Sequence, residues 1–387
     1  MGVREKVIRH LSGASFLASA PGRVNLLGDH VDYNEGIVLP AAIDRRIWLA
    51  FKPCAGQVMT LHALNLDASV SIELTSLVER IDKDGKVLPH WALYPASVAW
   101  ILQSRGYPLK GFEAAYASDL PIGAGLGSSA AVELAFAVAF QYLSGWQMDR
   151  MTMAKLCQQA ENMYVGVKCG LMDQFASAHG VARHVLYFDT RSLAWQPISL
   201  PLGTVIVVAD SGVRRELTGS AYNQRRRACE KSVEILREFL PDIKSLRDVS
   251  SDQLEKYEHA LPGRIAKRTR HVVEEIARVK EACRRLAADD AVGLGKLMVE
   301  GHASLRDLYE VSCVELDTLV EIALNLEGCY GARLTGAGFG GCTINLVEED
   351  KAADFMPSLK KAYEARTGHK ANIILCRASC GAFVEAL

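Results

Sequence analysis

The sequence predicts a two-domain fold of mixed helices and strands, which the residue patterns alone describe as α/β. The chain has 387 residues, more than one hydrophobic core usually serves, and 49% of them are hydrophobic. Strand-like alternation and helical periodicity follow one another in the first half, whereas the second half is more helical. We place the domain boundary near residues 196–201, which gives an N-terminal domain of residues 1–198 and a C-terminal domain of residues 199–387.

The composition excludes several classes of protein. The formal net charge is −1, so there is no electrostatic case for a nucleic-acid partner or for an anionic membrane surface. The N-terminus carries no targeting pattern, and the longest apolar runs are shorter than a membrane span. The ten cysteines are scattered and form no CxxC pair. We therefore expect a cytoplasmic protein with reduced cysteines that is a monomer or a weak oligomer.

The first element that suggests a ligand is a polar loop at residues 22–36, which follows a strand predicted at residues 15–21. Carboxylates accept hydrogen bonds from hydroxyl groups, while Arg and His side chains donate them. Taken singly, each residue fits an exposed polar turn. As a group held by a rigid sheet, the residues predict binding of a polyhydroxylated ligand. The group consists of Arg23, Asn25, Asp29, His30, Asp32, Tyr33 and Asn34.

The second such element is a glycine-rich turn, PIGAGLGSSAA, at residues 121–131. It leads directly into an apolar run that predicts a buried helix. Three glycines let the backbone bend tightly and approach a ligand closely. Two serines stand at the helix start, where free N–H groups and the helix dipole favour an anion, so we interpret the turn as a phosphate cradle. These residues are Gly123, Gly125, Gly127, Ser128 and Ser129.

Several side chains nearby have a structural and a functional interpretation. Trp91 and Tyr94 lie on one face of a predicted helix, and we assign them to the core. Glu161 lies on a helix predicted at residues 152–166. Its position in the sequence alone predicts a solvated glutamate, although a carboxylate near phosphates would suit Mg²⁺. Asp173 is either a poised base or a helix N-cap.

The second half contains another glycine-rich turn, LTGAGFGGCTINLV, at residues 334–347. Two such turns in one chain suggest that both face one ligand; the alternative is a tight hairpin with a bulge. The remaining pattern predicts helices at residues 220–240, 264–288, 292–309 and 315–327, and a final strand region at residues 372–384.

Common nucleotide-binding motifs are absent from the sequence. There is no GxxxxGK[ST] loop, and neither HRD nor DFG occurs. The glycine spacing in the first turn does not fit a dinucleotide fingerprint. The residues alone therefore predict a two-domain enzyme with an anion cradle and a sugar-like polar loop.

Three stretches together resemble the signature motifs of the GHMP kinases, which phosphorylate galactose, homoserine, mevalonate and phosphomevalonate. The first, GRVNLLGDHVDY, is the most selective and is similar to the galactokinase signature; the other two are the glycine-rich turns. CGLMDQF, AYNQRRRACE and SLRDLYEVSCVELD also resemble galactokinases, and the likeness covers almost the whole chain. The resemblance implies an α+β fold of two domains, with mixed sheets and helices and an active site in the cleft between the domains.

The resemblance further implies ATP-dependent phosphorylation of D-galactose at its anomeric hydroxyl, the first committed step of galactose catabolism, giving galactose 1-phosphate and ADP. Asp173 would take the hydroxyl proton, and Arg23 would stabilise charge in the transition state. Ser129 and Glu161 would hold Mg²⁺. The sugar would contact Asp29, His30, Val31, Asp32, Gly170, Asp173 and Tyr222. The ATP phosphates would contact Gly123, Ala124, Gly125, Leu126, Gly127, Ser128 and Ser129.

Position 29 departs from the family pattern, because it holds Asp where galactokinases more often have Glu. The carboxylate lies one methylene farther back, so its sugar contact would run through water or need a shifted sugar. N-acetylgalactosamine or a related sugar is therefore the alternative substrate. A sensor that binds ATP and galactose without turnover is a second alternative, which the intact GLGSSAA and the presence of Arg23, Glu161 and Asp173 disfavour.

Overall fold

Helices and strands alternate along the first half of the chain, and longer helices follow in the second. The structure is a computed structural model that describes residues 2–121, 123–214 and 218–387, with the backbone alone for residues 218–220. The helices are α1 (Val3–His10), α2 (His90–Ser104), α3 (Ser128–Ser144), α4 (Arg150–Ala160), α5 (Met172–His179), α6 (Thr218–Leu236), α7 (Ser251–Tyr257), α8 (Gly263–Ala287), α9 (Ala291–Asp307), α10 (Val314–Leu324) and α11 (Ala352–Thr367). The strands are β1 (Phe16–Asn25), β2 (Ile37–Val38), β3 (Pro40–Pro53), β4 (Val58–Ala63), β5 (Ala68–Glu73), β6 (Phe112–Ser118), β7 (His184–Asp189), β8 (Trp195–Ser199), β9 (Thr204–Asp210), β10 (Cys329–Thr335), β11 (Cys342–Glu348), β12 (Asn372–Cys376) and β13 (Phe383–Ala386).

The first sheet is mixed and has the strand order β13-β1-β3-β6-β4-β5. Strands β4 and β6 are parallel, and the other neighbours are antiparallel. The register between β1 and β3 shifts between Pro21 and Arg23, after which pairing resumes as far as Asn25. Arg23 and Asn25 therefore lie on the strand, whereas the sequence placed them in the polar loop.

The second sheet, β10-β11-β9-β12, is antiparallel, as is a small sheet of β2, β7 and β8. The single strand region predicted at residues 372–384 is in fact two strands in different sheets. Strand β12 pairs with β9, while β13 crosses to the first sheet and pairs with β1. The buried Arg46 holds this crossing because it donates hydrogen bonds to the carbonyls of Cys380 and Gly381. The boundary at residue 198 stays a prediction.

The core explains why α3 is almost entirely apolar from Ala130 to Phe140, with Glu133 as the exception. Its residues from Ala130 to Phe140 are mostly buried, as the sequence predicted. They pack in one hydrophobic cluster with residues of both large sheets, including Val24 and Ile344. These sheets and their covering helices give the predicted α+β architecture. In the part of the chain that the structure describes, no helix combines the length and apolarity that crossing a membrane requires.

Candidate active site

A cavity of about 280 Å³ opens where the polar loop, the first glycine-rich turn and residues 336–337 meet. Segments that are far apart in the sequence form the cavity walls, and these segments carry most of the predicted site residues. The predicted residues that line it are Arg23, Asp29, His30, Asp32, Gly125, Gly127, Ser128, Ser129, Glu161, Gly170, Asp173 and Tyr222.

The glycine-rich turn ends at Gly127, which precedes the first helical residue of α3 and has a φ of 72°. A Cβ at this position would lie 3.1 Å from Arg23 Cγ and 3.5 Å from Asp173 Oδ2. Glycine is therefore needed both for the left-handed backbone and for the close approach of these two side chains. Ser128 and Ser129 form the first turn of α3, where backbone N–H groups lack helical partners.

Other predicted site residues of these two motifs point into the core. Ala124 and Leu126 are each 1% exposed, and neither lines the cavity. Val31 is also fully buried; it packs in a hydrophobic cluster and does not line the cavity. Ile122, the second residue of the glycine-rich turn, lies outside the described residues.

Arg23 and Asp173 form a two-bond ion pair inside the cavity. Arg23 Nε donates to Asp173 Oδ1 at 2.8 Å, and Nη2 donates to Oδ2 at 2.6 Å. The third guanidinium nitrogen, Nη1, donates to the carbonyl of Gly125. Asp173 lies in the first turn of α5 after the N-cap residue Leu171, which rules out the capping role that the sequence left open. The pair links the end of β1 to α5 beside the glycine-rich turn.

Asp32 faces the same cavity and packs against Gly170. A Cβ on Gly170 would lie only 1.9 Å from Asp32 Oδ2, so any larger residue would displace the carboxylate. Burial and, next in size, the negative charge of Asp173 raise the pKa of Asp32 to about 7. Asp32 and Asp173 therefore present acceptor oxygens to a ligand that carries hydroxyl groups.

Asp29 lines the cavity, but the protein already binds both of its carboxylate oxygens. Arg333 Nη2 donates to Oδ2 at 2.9 Å, and the Gly336 N–H donates to Oδ1 at 3.0 Å. Burial raises the pKa of Asp29 to about 6, an effect that Arg333 opposes. The sequence analysis missed Arg333; the available signal was a charged residue on an otherwise apolar strand, one position before the second glycine-rich turn.

His30 and Tyr222 also line the cavity. The His30 ring lies 5.4 Å from the Tyr222 ring, which α6 contributes from the second half of the chain. Both ring nitrogens of His30 already have protein partners, the Tyr33 hydroxyl at 2.8 Å and the Ala337 carbonyl at 3.1 Å. His30 therefore shapes the cavity through its ring surface.

Glu161 begins a π-helical turn, Glu161–Val165, at the end of α4. Such turns are common at functional sites because they redirect one side chain within a helix. Ser129 and Glu161 line the same cavity, and burial raises the pKa of the Glu161 carboxyl group to about 7. Gln174 Nε2 donates to Glu161 Oε2 at 2.8 Å.

Glu133 is a second carboxylate that the sequence analysis missed, hidden within the apolar run of α3. It is fully buried, and Gln174 Nε2 donates to its Oε2 at 3.0 Å. Burial and the neighbouring Glu161 hold the pKa of Glu133 well above its usual range. A single glutamate among apolar residues was the signal that could have revealed it.

Comparisons with known proteins show which family the chain resembles. Family models match residues 9–53 (galactokinase galactose-binding signature), residues 94–181 (GHMP kinases N terminal domain) and residues 279–365 (GHMP kinases C terminal). Galactokinases of Chloroflexus aggregans and Roseiflexus sp. are 45% and 44% identical to this chain over 365 residues, which cover 94% of it and 92% of each relative. The chain belongs to the galactokinase family.

Solved structures place this galactokinase-family chain in the same fold. The crystal structure of Lactococcus lactis galactokinase complexed with galactose matches it with a TM-score of 0.91 and 31% identity, over 98% of each chain. Mevalonate kinase of Methanococcus jannaschii, 20% identical, matches with a TM-score of 0.67 over 95% of this chain and 100% of its own. The first match confirms the predicted family, and the second shows that the fold extends to another GHMP kinase.

A second, apolar cavity of about 330 Å³ adjoins the glycine-rich turn of this galactokinase-family chain. Trp91 and Tyr94 of α2 line it together with Gly123 and Ser129. The sequence analysis assigned the two aromatic residues to the core, because a helix face that lines a cavity shows the same periodicity as one that is fully packed. The structure leaves both rings partly exposed at the cavity wall.

Proposed function

We propose that this chain transfers the γ-phosphoryl group of ATP to the anomeric hydroxyl of D-galactose, giving galactose 1-phosphate and ADP. The observation that carries the proposal is the Arg23–Asp173 pair, in contact range of Gly127 at the start of α3. An acceptor for the hydroxyl proton and a guanidinium would then stand beside a helix end that favours phosphate. Phosphoryl transfer depends mainly on such alignment and on neutralisation of charge.

The nucleotide would occupy the glycine-rich turn and the apolar cavity next to it. Backbone N–H groups of residues 123–129 would bind the phosphates, since the turn leads into the N-terminus of α3. The base would lie in the apolar cavity against Trp91 and Tyr94, whose aromatic faces suit a planar ring. The two cavities share Ser128 and Ser129, which would therefore lie near the transferred phosphoryl group.

Ser129 and Glu161 fit a magnesium ion. They contribute a hydroxyl and a carboxylate to the lining of one cavity, and oxygen donors of this kind are what Mg²⁺ prefers. Among the residues that the structure describes, no group of three or more His, Cys, Asp or Glu side chains could hold a metal ion. Magnesium in kinases commonly takes one or two carboxylates together with substrate phosphates and water. When bound, it would neutralise charge on the phosphate oxygens.

Asp173 would orient the anomeric hydroxyl and accept its proton late in the reaction. A loose transition state develops little need for proton removal before the phosphoryl group has left ADP. Arg23 would hold the Asp173 carboxylate in place through its two hydrogen bonds and would stabilise charge on the transferred group. Asp32 would accept hydrogen bonds from other sugar hydroxyls.

The decisive experiment is the Asp173→Asn variant in a coupled ADP-release assay with galactose, ATP and Mg²⁺. We expect turnover to fall about 10²- to 10⁴-fold, the usual contribution of a general base. Asp252→Asn, at an exposed first-turn position of α7, is the matched control and should keep full turnover. Near-normal turnover in Asp173→Asn would reject the proposed role, whereas a loss of only about tenfold would leave Asp173 as an orienting group.

A sugar panel identifies the substrate. N-acetylgalactosamine is the second candidate, because Arg333 and Gly336 already hold the short Asp29 carboxylate. The panel compares galactose with N-acetylgalactosamine, glucose, arabinose, talose and 2-deoxygalactose, and uses homoserine and mevalonate as controls. ADP release that is fastest with galactose supports the proposal. Binding of ATP and sugar without ADP release from any hexose would instead identify a sensor.

We also propose that the protein acts in the cytoplasm as a monomer or a weak oligomer. All ten cysteines are free, which suits a reducing compartment. Size-exclusion chromatography with light scattering measures the oligomeric state, and a stable dimer at micromolar concentration would contradict the second part.

A further inference from the structure

A chain of hydrogen bonds runs behind the sugar-facing wall of the cavity. It starts at Cys229 on α6, whose Sγ lies 3.4 Å from the hydroxyl of Tyr309. The Tyr309 hydroxyl lies 2.7 Å from that of Tyr33, which in turn lies 2.8 Å from His30 Nδ1. His30 Nε2 lies 3.1 Å from the carbonyl oxygen of Ala337, in the second glycine-rich turn. The chain thus connects four segments that are separate in the sequence.

The chemistry of its last member gives the chain one direction. The Ala337 carbonyl can only accept, so His30 must carry a hydrogen on Nε2. Burial lowers the pKa of His30 to about 3, so the ring is neutral and Nδ1 must accept. Tyr33 therefore donates to His30, and Tyr309 donates to Tyr33. The Cys229 thiol completes the sequence as the donor to the Tyr309 oxygen.

Burial leaves most members of this chain with few other hydrogen-bond partners. Tyr309 and Cys229 are 0% and 2% exposed, and His30 is 4% exposed, so water does not compete for their hydrogen bonds. His30 also adopts a φ of 64°, a left-handed conformation that is uncommon for a residue with a side chain. Strain of this kind persists where the surrounding structure determines it.

We propose that Tyr33 and Tyr309 are positioning residues of the active site. Through this one-way chain they hold His30 in its Nε2–H tautomer and join the polar loop to the second glycine-rich turn. His30 then contributes a fixed ring surface to the sugar, with neither ring nitrogen free to bind a hydroxyl. The kinetic part of this inference rests on the proposed function, whereas the tautomer does not.

Tyr→Phe variants test the chain because they remove a hydroxyl and leave the ring. Tyr33→Phe leaves the buried Nδ1 of His30 without a donor, and we expect the KM for galactose to rise about tenfold while kcat changes less than about threefold. Tyr309→Phe should have a smaller effect, because Tyr33 still donates to His30. Tyr363→Phe is the matched control, since Tyr363 is as buried as Tyr309 and donates a hydrogen bond of 2.9 Å to the Ser211 carbonyl.

This order separates positioning from a general loss of buried hydrogen bonds. Tyr309 is more deeply buried than Tyr33, so a general loss alone would make Tyr309→Phe the worse variant. A KM for galactose that rises more in Tyr309→Phe than in Tyr33→Phe, or that is unchanged in a folded Tyr33→Phe, would overturn the proposal. Galactose binding measured by calorimetry gives the same ranking without turnover.

The tautomer is measured directly by long-range ¹H–¹⁵N NMR of the imidazole rings. We expect a neutral Nε2–H pattern for one histidine at pH 7 that changes in Tyr33→Phe and persists in Tyr363→Phe. A spectrum in which Tyr33→Phe alters only histidines with Nδ1–H or charged rings would refute the chain. This measurement needs no substrate. If the protein releases no ADP, the proposed function is rejected, but the NMR spectrum still tests the hydrogen-bond chain.

Discussion

Two pairs of buried carboxylates lie at or next to the cavity, and only one of them has arginine partners. Arg333 lies 2.9 Å from both Asp29 and Glu275, and Arg278 forms a further ion pair with Glu275. The two arginines hold the pKa of Glu275 well below its usual range in spite of burial. The Gly28 N–H adds a hydrogen bond to Glu275 at 2.8 Å. Arginine side chains thus balance the charge of the Asp29 and Glu275 carboxylates, and these ion pairs join the polar loop to α8 and β10.

Glu161 and Glu133 form the other pair, which has no cationic partner among the described residues. Within the described residues, neither carboxylate has an ion pair with Lys, Arg or His, and the two share the amide group of Gln174 instead. Burial and repulsion raise both pKa values. The comparison separates two uses of buried charge: the first pair holds the fold together, and the second is suited to a cation that arrives with the nucleotide.

The largest effect on stability should come from Arg333→Met, which removes the arginine between Asp29 and Glu275. The substitution leaves two buried carboxylates without their shared cation, so we expect the free energy of unfolding to fall by about 3–5 kcal/mol in urea titrations. Arg366→Met removes an exposed arginine that pairs with Glu321, and it should cost less than about 1 kcal/mol. Equal losses in the two variants would contradict the distinction.

Glu161→Gln tests the Glu161–Glu133 pair. Removing a carboxylate from this pair should not destabilise the protein. We expect an unchanged or slightly higher free energy of unfolding, since repulsion with Glu133 is relieved. The apparent affinity for Mg²⁺ in the ADP-release assay should fall about 100-fold or more, as expected for loss of a direct ligand. Glu321→Gln is the exposed control. Unaltered Mg²⁺ dependence in Glu161→Gln would rule out its role as a ligand.

A smaller, pH-dependent effect is expected at Asp189, a more exposed carboxylate with an arginine partner. Arg247 pairs with it and holds its pKa well below the ordinary value of 3.8. Because the folded-state pKa is lowered, the pair stabilises the protein above the unfolded pKa of about 4, and this contribution is lost as the pH falls further. Arg247→Met should therefore cost up to about 1 kcal/mol at pH 7 and progressively less below pH 4. A cost that is constant from pH 7 to pH 2 would contradict this explanation.

The sequence predicted the parts of the site that depend on local pattern. The glycine-rich turn before α3 follows from backbone and helix-end physics, and the polar loop follows from its clustered donors and acceptors. The roles of Asp173 and Glu161 came only from the family resemblance, because a lone carboxylate on a helix has no local signature. The site assignments themselves stay predictions until variants are measured.

The features that were missed depend on contacts between distant segments. Nothing local indicates that Arg333 meets Asp29, or that Glu133 shares an amide with Glu161. The crossing of β13 to the first sheet was equally hidden, since one apolar strand can pair with any free edge. Pairing partners are set by the assembled fold, and a strand's own sequence rarely specifies them.

The pairing of β13 with β1 has a consequence for the order of folding during synthesis. The sheet that carries Arg23 cannot gain this edge strand until the ribosome has released Phe383–Ala386, after nearly all other described residues have been made. Contacts between such distant segments slow folding, because a long loop must close before they form. The first sheet therefore waits with an open edge while the rest of the chain emerges, and chaperones that cover exposed strand edges would act during that interval.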